Sequence, residues 1–146
     1  MISLSAGANE AVAEAYDFGS HSHVVDVGGG HGQLLSAILA RHPNLNGTLF
    51  DREAGIASAT SRPGDAVTRT RLIAGDFFDS VPAGADVYVL KKVIHDWDDE
   101  RAAKILETAD VRTEEEYGEL LARARLRLDQ VLPTKASISV LESSPV

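Results

Sequence analysis

The sequence predicts an α/β fold: a mostly parallel sheet with helices between its strands, followed by an antiparallel hairpin at the C-terminal end. Three observations carry that prediction. Short apolar runs alternate with stretches of helical periodicity across residues 24–108, the pattern of successive βαβ units with right-handed crossovers. Residues 24–32 read Val-Val-Asp-Val-Gly-Gly-Gly-His-Gly, an apolar run that breaks into four glycines within five residues. Two further runs, Leu126–Leu132 and Ser137–Leu141, alternate in character around Pro133-Thr134-Lys135 and read as a hairpin at a sheet edge.

The elements follow in order. Residues 1–7 read as a loose start, and Ala8–Tyr16 is an alanine-rich helix by propensity. Gly19–His23 connects it to the first strand, Val24–Val27. Gln33–Arg41 is the first crossover helix, with Leu34, Leu35, Ile38 and Leu39 on one face and a stop near Pro43. Thr48–Phe50 is the second strand, closed by Asp51, and Ala54–Thr60 a short helix. Ser61–Asp65 holds Pro63 and Gly64 and reads as a loop. Arg71–Ala74 is the third strand and runs into Gly75-Asp76-Phe77-Phe78. Pro82–Ala85 turns the chain into the fourth strand, Asp86–Leu90. Asp98 or Asp99 caps a helix that reaches about Thr108. Thr113-x-x-Glu116 is a capping box that opens another, with Tyr117, Leu120, Leu121 and Ala124 inward.

Composition narrows the functions. The 146 residues fit one domain, and 44% of them are hydrophobic, enough for one α/β core. A net charge of −8 argues against nucleic acid held by its phosphates and against an anionic membrane surface. The chain has no cysteine, so disulfides, thiolate metal sites and thiol catalysis are excluded. No leader or long apolar stretch is evident, and a cytoplasmic address is expected. His21 and His23, and the acids Asp96, Asp98 and Asp99, lack a metal-ligand spacing and read as solvated side chains.

Strand, glycine turn and helix form the opening of a nucleotide-binding unit, because glycines admit a ligand where a Cβ would clash. The dinucleotide fingerprint G-x-G-x-x-G fails in every register, meeting Gln33, Leu35 or His31 where glycine is needed. The pattern that fits is acid-x-G-x-G-x-G, with Asp26, Gly28, Gly30 and Gly32. A second acid, Asp51, lies 19 residues beyond Gly32, near the spacing at which a second-strand carboxylate holds ribose hydroxyls. In an open α/β sheet ligands sit beyond the carboxyl ends of the strands, which gathers the glycine turn, Asp51, Asp76-Phe77 and Lys91–His95 on one rim. Asp76 is suited to accept from an adenine amino group, with Phe77 against the ring; alone, Gly75-Asp76 is equally an ordinary turn. His95 has the pKa for a general base near neutrality, with Asp96 to orient its ring. A lone histidine in such a place more often caps the next helix or bonds a backbone carbonyl.

The stretches Val25–Gly32, Leu49-Phe50-Asp51, Gly75–Phe78 and Leu90–Glu100 (Leu-Lys-Lys-Val-Ile-His-Asp-Trp-Asp-Asp-Glu) occur in this order. Together they resemble the catalytic domain of the S-adenosyl-L-methionine-dependent O-methyltransferases of small molecules. That family includes plant caffeate-type enzymes and bacterial enzymes of polyketide and phenazine tailoring. The likeness runs from about Ala11 to Leu106 and resumes from Arg112 to the C-terminus. It implies a Rossmann-like class I methyltransferase sheet, S-adenosyl-L-methionine as cofactor, S-adenosyl-L-homocysteine as product and a phenolic or similar small-molecule hydroxyl as acceptor. It assigns cofactor contacts to Gly28, Asp51, Asp76, Phe77 and Lys91, and makes His95 the base that takes the acceptor's proton.

The sequence departs from the family in three places. The family's helical N-terminal domain, which forms its dimer and helps wall the acceptor pocket, has no counterpart. Glu107–Arg112 leads straight to the penultimate helix where the family has a fifth parallel strand and further helices. The acids that flank the family's histidine are missing, one with that strand and one at the position of Val111. A single shortened domain over residues 1–146 is therefore expected, with the hairpin moved against the fourth strand in the order 3-2-1-4-7-6 of the family's numbering. Pairing of two chains through an exposed sheet edge or the helices is the alternative. Three functions stay open: methyl transfer, a catalytically silent binder of the cofactor or its product, and a remnant that pairs with a partner.

Overall fold

The computed structural model describes residues 2–59, 68–91, 126–133 and 139–145. Its elements are α1 (Ile2–Ala15), a 3-10 turn (Phe18–Ser20), β1 (His23–Val27), α2 (Gln33–Arg41), β2 (Asn46–Asp51), α3 (Glu53–Ala59), β3 (Thr70–Ala74), β4 (Val87–Val89), β5 (Leu126–Pro133) and β6 (Ser139–Pro145). The helices expected at Asp98–Thr108 and from Thr113 lie outside the described residues.

The first four strands form one parallel sheet in the order β3-β2-β1-β4. β1 is central because it is apolar on both faces: Val24, Val25 and Val27 are all buried. The parity of the strands splits the core in two. Val24 and Leu49 face α1 and α2, where they pack with Val12, Ala13, Leu35, Ile38 and Leu39. Val25, Val27 and Phe50 point to the opposite face, beside Ile73, Phe77 and Leu90. α2 matches its expected bounds because its apolar spacing and the glycine before it both mark it locally.

α1 begins at Ile2, not at Ala8. Residues expected as a loose start are helical because an established helix gains one backbone hydrogen bond for each residue it adds.

The hairpin also departs from expectation. β5 and β6 pair antiparallel as a sheet of their own, with a register shift between Leu128 and Gln130. β6 does not join β4, so the order 3-2-1-4-7-6 is replaced among the described residues by a four-stranded sheet and a separate hairpin. Two strands joined by a short loop pair at a small entropic cost, whereas reaching β4 closes a much longer loop onto only three residues, Val87–Val89.

One long-range contact holds the first crossover. Arg69, just before β3, donates to the carbonyl oxygens of Leu39 at 2.7 Å, His42 at 3.1 Å and Leu45 at 2.5 Å. Its guanidinium thus meets the Leu39 carbonyl in the last turn of α2 and two carbonyls of the segment that follows, and its charge complements the negative end of the helix dipole.

Candidate functional site

The carboxyl ends of the four parallel strands carry the glycine turn, Asp51, the Gly75–Phe78 segment and Lys91. The turn comes first because β1 delivers it. Gly28, Gly30 and Gly32 have φ of 67°, 55° and 66°, the left-handed region that side chains disfavour. The N–H of Gly28 donates to the Phe50 carbonyl at 2.8 Å, which ties the turn to β2. Gly32 donates to the Gly29 carbonyl at 2.8 Å, and the N–H of Ser36 to the Gly32 carbonyl at 3.0 Å, which opens α2.

Gly29 is needed for a different reason. A Cβ there would lie 2.5 Å from Asp26 Oδ2 and 2.5 Å from Leu49 Cδ1. The turn is folded down onto the Asp26 carboxylate, which is 1% exposed. The acid of the glycine motif therefore sits buried beneath the turn, packed against Gly29. Sequence reasoning passed over Gly29 because its position is the odd one in the alternating pattern. The run of three consecutive glycines was the signal.

Asp51 lies at the tip of β2, half-buried. Its Oδ2 accepts from the N–H of Gly30 at 2.6 Å and its Oδ1 from the N–H of Arg52 at 2.6 Å. Both bonds come from backbone that cannot move freely, so the carboxylate is fixed at the edge of the turn. A carboxylate offers about four acceptor positions, and two remain for hydroxyl groups of a ligand.

Beyond β3, the Asp76 Oδ1 accepts from the N–H of Phe78 at 2.9 Å, and the Asp76 carbonyl from the N–H of Asp79 at 3.0 Å and of Ser80 at 3.1 Å. These bonds make the ordinary turn that Gly75-Asp76 could equally have signalled. They leave Oδ2 toward the β2 side, 4.0 Å from the Arg52 guanidinium, with the Asp76 side chain 41% exposed. Phe77 packs at the edge of the second core, 5.0 Å between ring centroids from Phe78.

Lys91, just past β4, donates from its Nζ to the side-chain carbonyl of Asn9 on α1. Asn9 is buried, and nothing in the sequence pointed to it. His95 and Asp96 lie outside the described residues.

His21 and His23 have partners away from this rim. Tyr16 Oη lies 3.1 Å from His21 Nε2, and His23 Nε2 lies 2.9 Å from the Thr48 hydroxyl. Among the described residues no group of three or more His, Asp or Glu side chains is placed to hold a metal ion, and no helix is long and apolar enough to cross a membrane. The clearest electrostatic feature is at the opposite end of the sheet. Asp86 Oδ2 accepts from the Ser22 hydroxyl at 2.6 Å and from the N–H groups of Ser22 at 2.8 Å and His23 at 2.9 Å. Those bonds, the Ser22 hydroxyl foremost, lower its pKa to about 2.

Known proteins share this fold. Residues 3–122 match the O-methyltransferase domain family. The chain is 33% identical over 177 aligned positions to the phenazine O-methyltransferase PhzM of Lysobacter antibioticus, covering 93% of this chain and 52% of that protein. The alignment is longer than the chain's own 146 residues, so the relative carries internal residues that this chain lacks. A methyltransferase of calicheamicin biosynthesis, solved with S-adenosyl-L-homocysteine, superposes with a TM-score of 0.91 at 31% identity, over 100% of this chain and 55% of that one. An O-methyltransferase of neocarzinostatin biosynthesis, solved with S-adenosyl-L-homocysteine and 1,4-dihydroxy-2-naphthoic acid, superposes with a TM-score of 0.88 at 32% identity, over 99% and 56%. The chain spans about half the length of these proteins.

Proposed function

The chain belongs to the O-methyltransferase domain family, and we propose that it binds S-adenosyl-L-methionine on the rim of its parallel sheet and methylates a hydroxyl of a small aromatic acceptor. The observation that carries the donor site is the bond from the Gly30 N–H to Asp51, which joins the glycine turn to a fixed carboxylate. The fit is chemical. Gly28, Gly30 and Gly32 present bare backbone at the tip of β1, which a ligand such as adenosine can approach closely. Asp51 takes the ribose hydroxyls on its open positions. Asp76 accepts from the adenine amino group and Phe77 borders the ring. Asp26 acts from below by holding the turn, and Lys91 closes the β4 side.

When bound, the cofactor supplies a methyl group on a cationic sulfur, so the protein's tasks are orientation and one proton transfer. His95 is the base that accepts the acceptor hydroxyl's proton, and Asp96 orients its ring. The acceptor is a phenol or similar secondary-metabolite hydroxyl, the class named for the relatives. Within this reading residues 1–146 form one cytoplasmic domain. Pairing of two copies through the β4 edge or the helices would build the wider pocket.

Calorimetric titration with S-adenosyl-L-methionine and with S-adenosyl-L-homocysteine tests the donor site, and saturable heat at micromolar ligand is expected. Methyl transfer to a panel of phenols, beside His95→Ala, tests the chemistry. Binding without turnover reduces the chain to a silent binder. Turnover that survives His95→Ala removes His95 as the base.

A further inference from the structure

We propose that Gly55 is a positioning residue for the donor site: its lack of a side chain leaves the room in which the Asp51 carboxylate lies against α3, aimed at the ribose hydroxyls of the donor. This rests on the donor site proposed above and adds what keeps its ribose acceptor in place.

Gly55 is the third residue of α3, the helix that follows β2. A Cβ there would lie 2.7 Å from Asp51 Cγ, 2.8 Å from Asp51 Oδ1 and 3.1 Å from Asp51 Cβ. Atoms that close cannot coexist, so a side chain at position 55 and the carboxylate in its present place exclude each other. Helix propensity gives no reason for glycine at this position, since alanine is favoured there. The space that glycine leaves is filled by Asp51.

The carboxylate, not the helix, is the part able to give way. The N–H of Ile56 donates to the Arg52 carbonyl at 3.0 Å, Ile56 packs against the first core and Ala59 is buried in it, which ties α3 down. The Asp51 side chain turns about a single bond from one staggered position to another. Its present position is the one in which Oδ2 accepts from Gly30 and Oδ1 from Arg52, each at 2.6 Å. A rotation that carries Oδ1 away from a Cβ at position 55 also carries Oδ2 off the Gly30 N–H. The helix keeps its place and the acceptor loses its aim.

The test is calorimetry on the full chain with two probes, S-adenosyl-L-homocysteine and its 2′-deoxy analogue, beside thermal unfolding without ligand. The wild type should prefer the first probe by about tenfold, the worth of a hydrogen bond to a charged acceptor. Gly55→Ala should bind S-adenosyl-L-homocysteine about tenfold more weakly and lose that preference. It should melt no lower than the wild type, because alanine favours the helix. A merely structural role would lower the melting temperature and weaken both probes alike. Asp51→Ala removes the two closest atoms, so Gly55→Ala added to it should leave binding unchanged and not lower the melting temperature. A preference for the hydroxyl that survives Gly55→Ala, equal weakening of both probes, or a further loss of binding in the double variant overturns the role of Gly55. Should Gly55→Ala fold poorly, the double variant decides: recovery without the Asp51 carboxylate supports the contact, and no recovery overturns it. A wild type that binds both probes equally removes Asp51 as the ribose acceptor and this inference with it. A wild type that binds neither overturns the donor site as well.

Discussion

The carboxylate of Asp51 accepts a hydrogen bond from the backbone N–H of Gly30 at 2.6 Å. The two residues belong to different strand ends, β2 and the turn after β1, and the bond makes them one surface. A ribose-binding acid held this way loses little freedom when a ligand arrives, because its orientation is already set by the turn.

Asp51→Asn keeps the shape and removes the charge. Its effect on affinity should be about 1.5–3 kcal/mol, the usual worth of a hydrogen bond to a charged group. Titration with S-adenosyl-L-homocysteine should show a Kd weaker by about tenfold to a hundredfold. An unchanged Kd would place the ribose elsewhere.

Two alanine substitutions in the turn should separate crowding from strain. Gly29→Ala sets a Cβ 2.5 Å from both Asp26 Oδ2 and Leu49 Cδ1, which belong to buried side chains with little room to move. Overpacking of this kind costs about 1–3 kcal/mol and displaces the turn. Gly30→Ala meets open space and suffers only from its φ of 55°, a cost of about 1–2 kcal/mol. Thermal unfolding should show the larger loss of stability in Gly29→Ala. The reverse order would mean that the turn does not rest on Asp26.

Arg69→Ala removes the group that meets the carbonyls of Leu39, His42 and Leu45. Urea denaturation should show a loss of about 2 kcal/mol. Arg69→Lys should recover only part of it, because one ammonium cannot span three carbonyls as a planar guanidinium does.

Asp86 gives the chain an acid-dependent contact. Its pKa falls from the ordinary 3.8 to about 2 in the folded state. A lowered carboxyl pKa favours the folded form above the unfolded value, and that contribution fades as pH drops from about 4 toward 2. Asp86→Asn should therefore melt at a lower temperature than the wild type at pH 7, and the gap should narrow through that window. Asp86 is exposed, so the difference should be small and should shrink with salt. A gap that stays constant from pH 7 to pH 2 would remove Asp86 as its source.

The elements nearest the rim were legible because their signals are local. Val24–Val27, Gln33–Arg41 and Arg71–Ala74 each announce themselves by periodicity, and the structure moves their bounds by a residue at most. Asp51 was found by its distance from the glycines alone. Gly29, Asn9 and Arg69 were not found, because each matters through an atom far away in the chain or on another strand. The hairpin was recognised as a pair of strands, but its neighbour was misjudged, since alternation says which residues form a strand and nothing of what lies beside it.

The sequence by itself determined the class of fold, the parallel strands and the residues that gather at their ends, since these depend on spacing along a few neighbouring positions. Tertiary structure alone decided that Asp26 lies under the turn, that Asp51 reaches back to Gly30, that Asn9 holds Lys91 and that β6 pairs only with β5 among the described residues. Those relations join segments whose distance in space is set by packing and loop closure, and no local pattern of residue types encodes that distance.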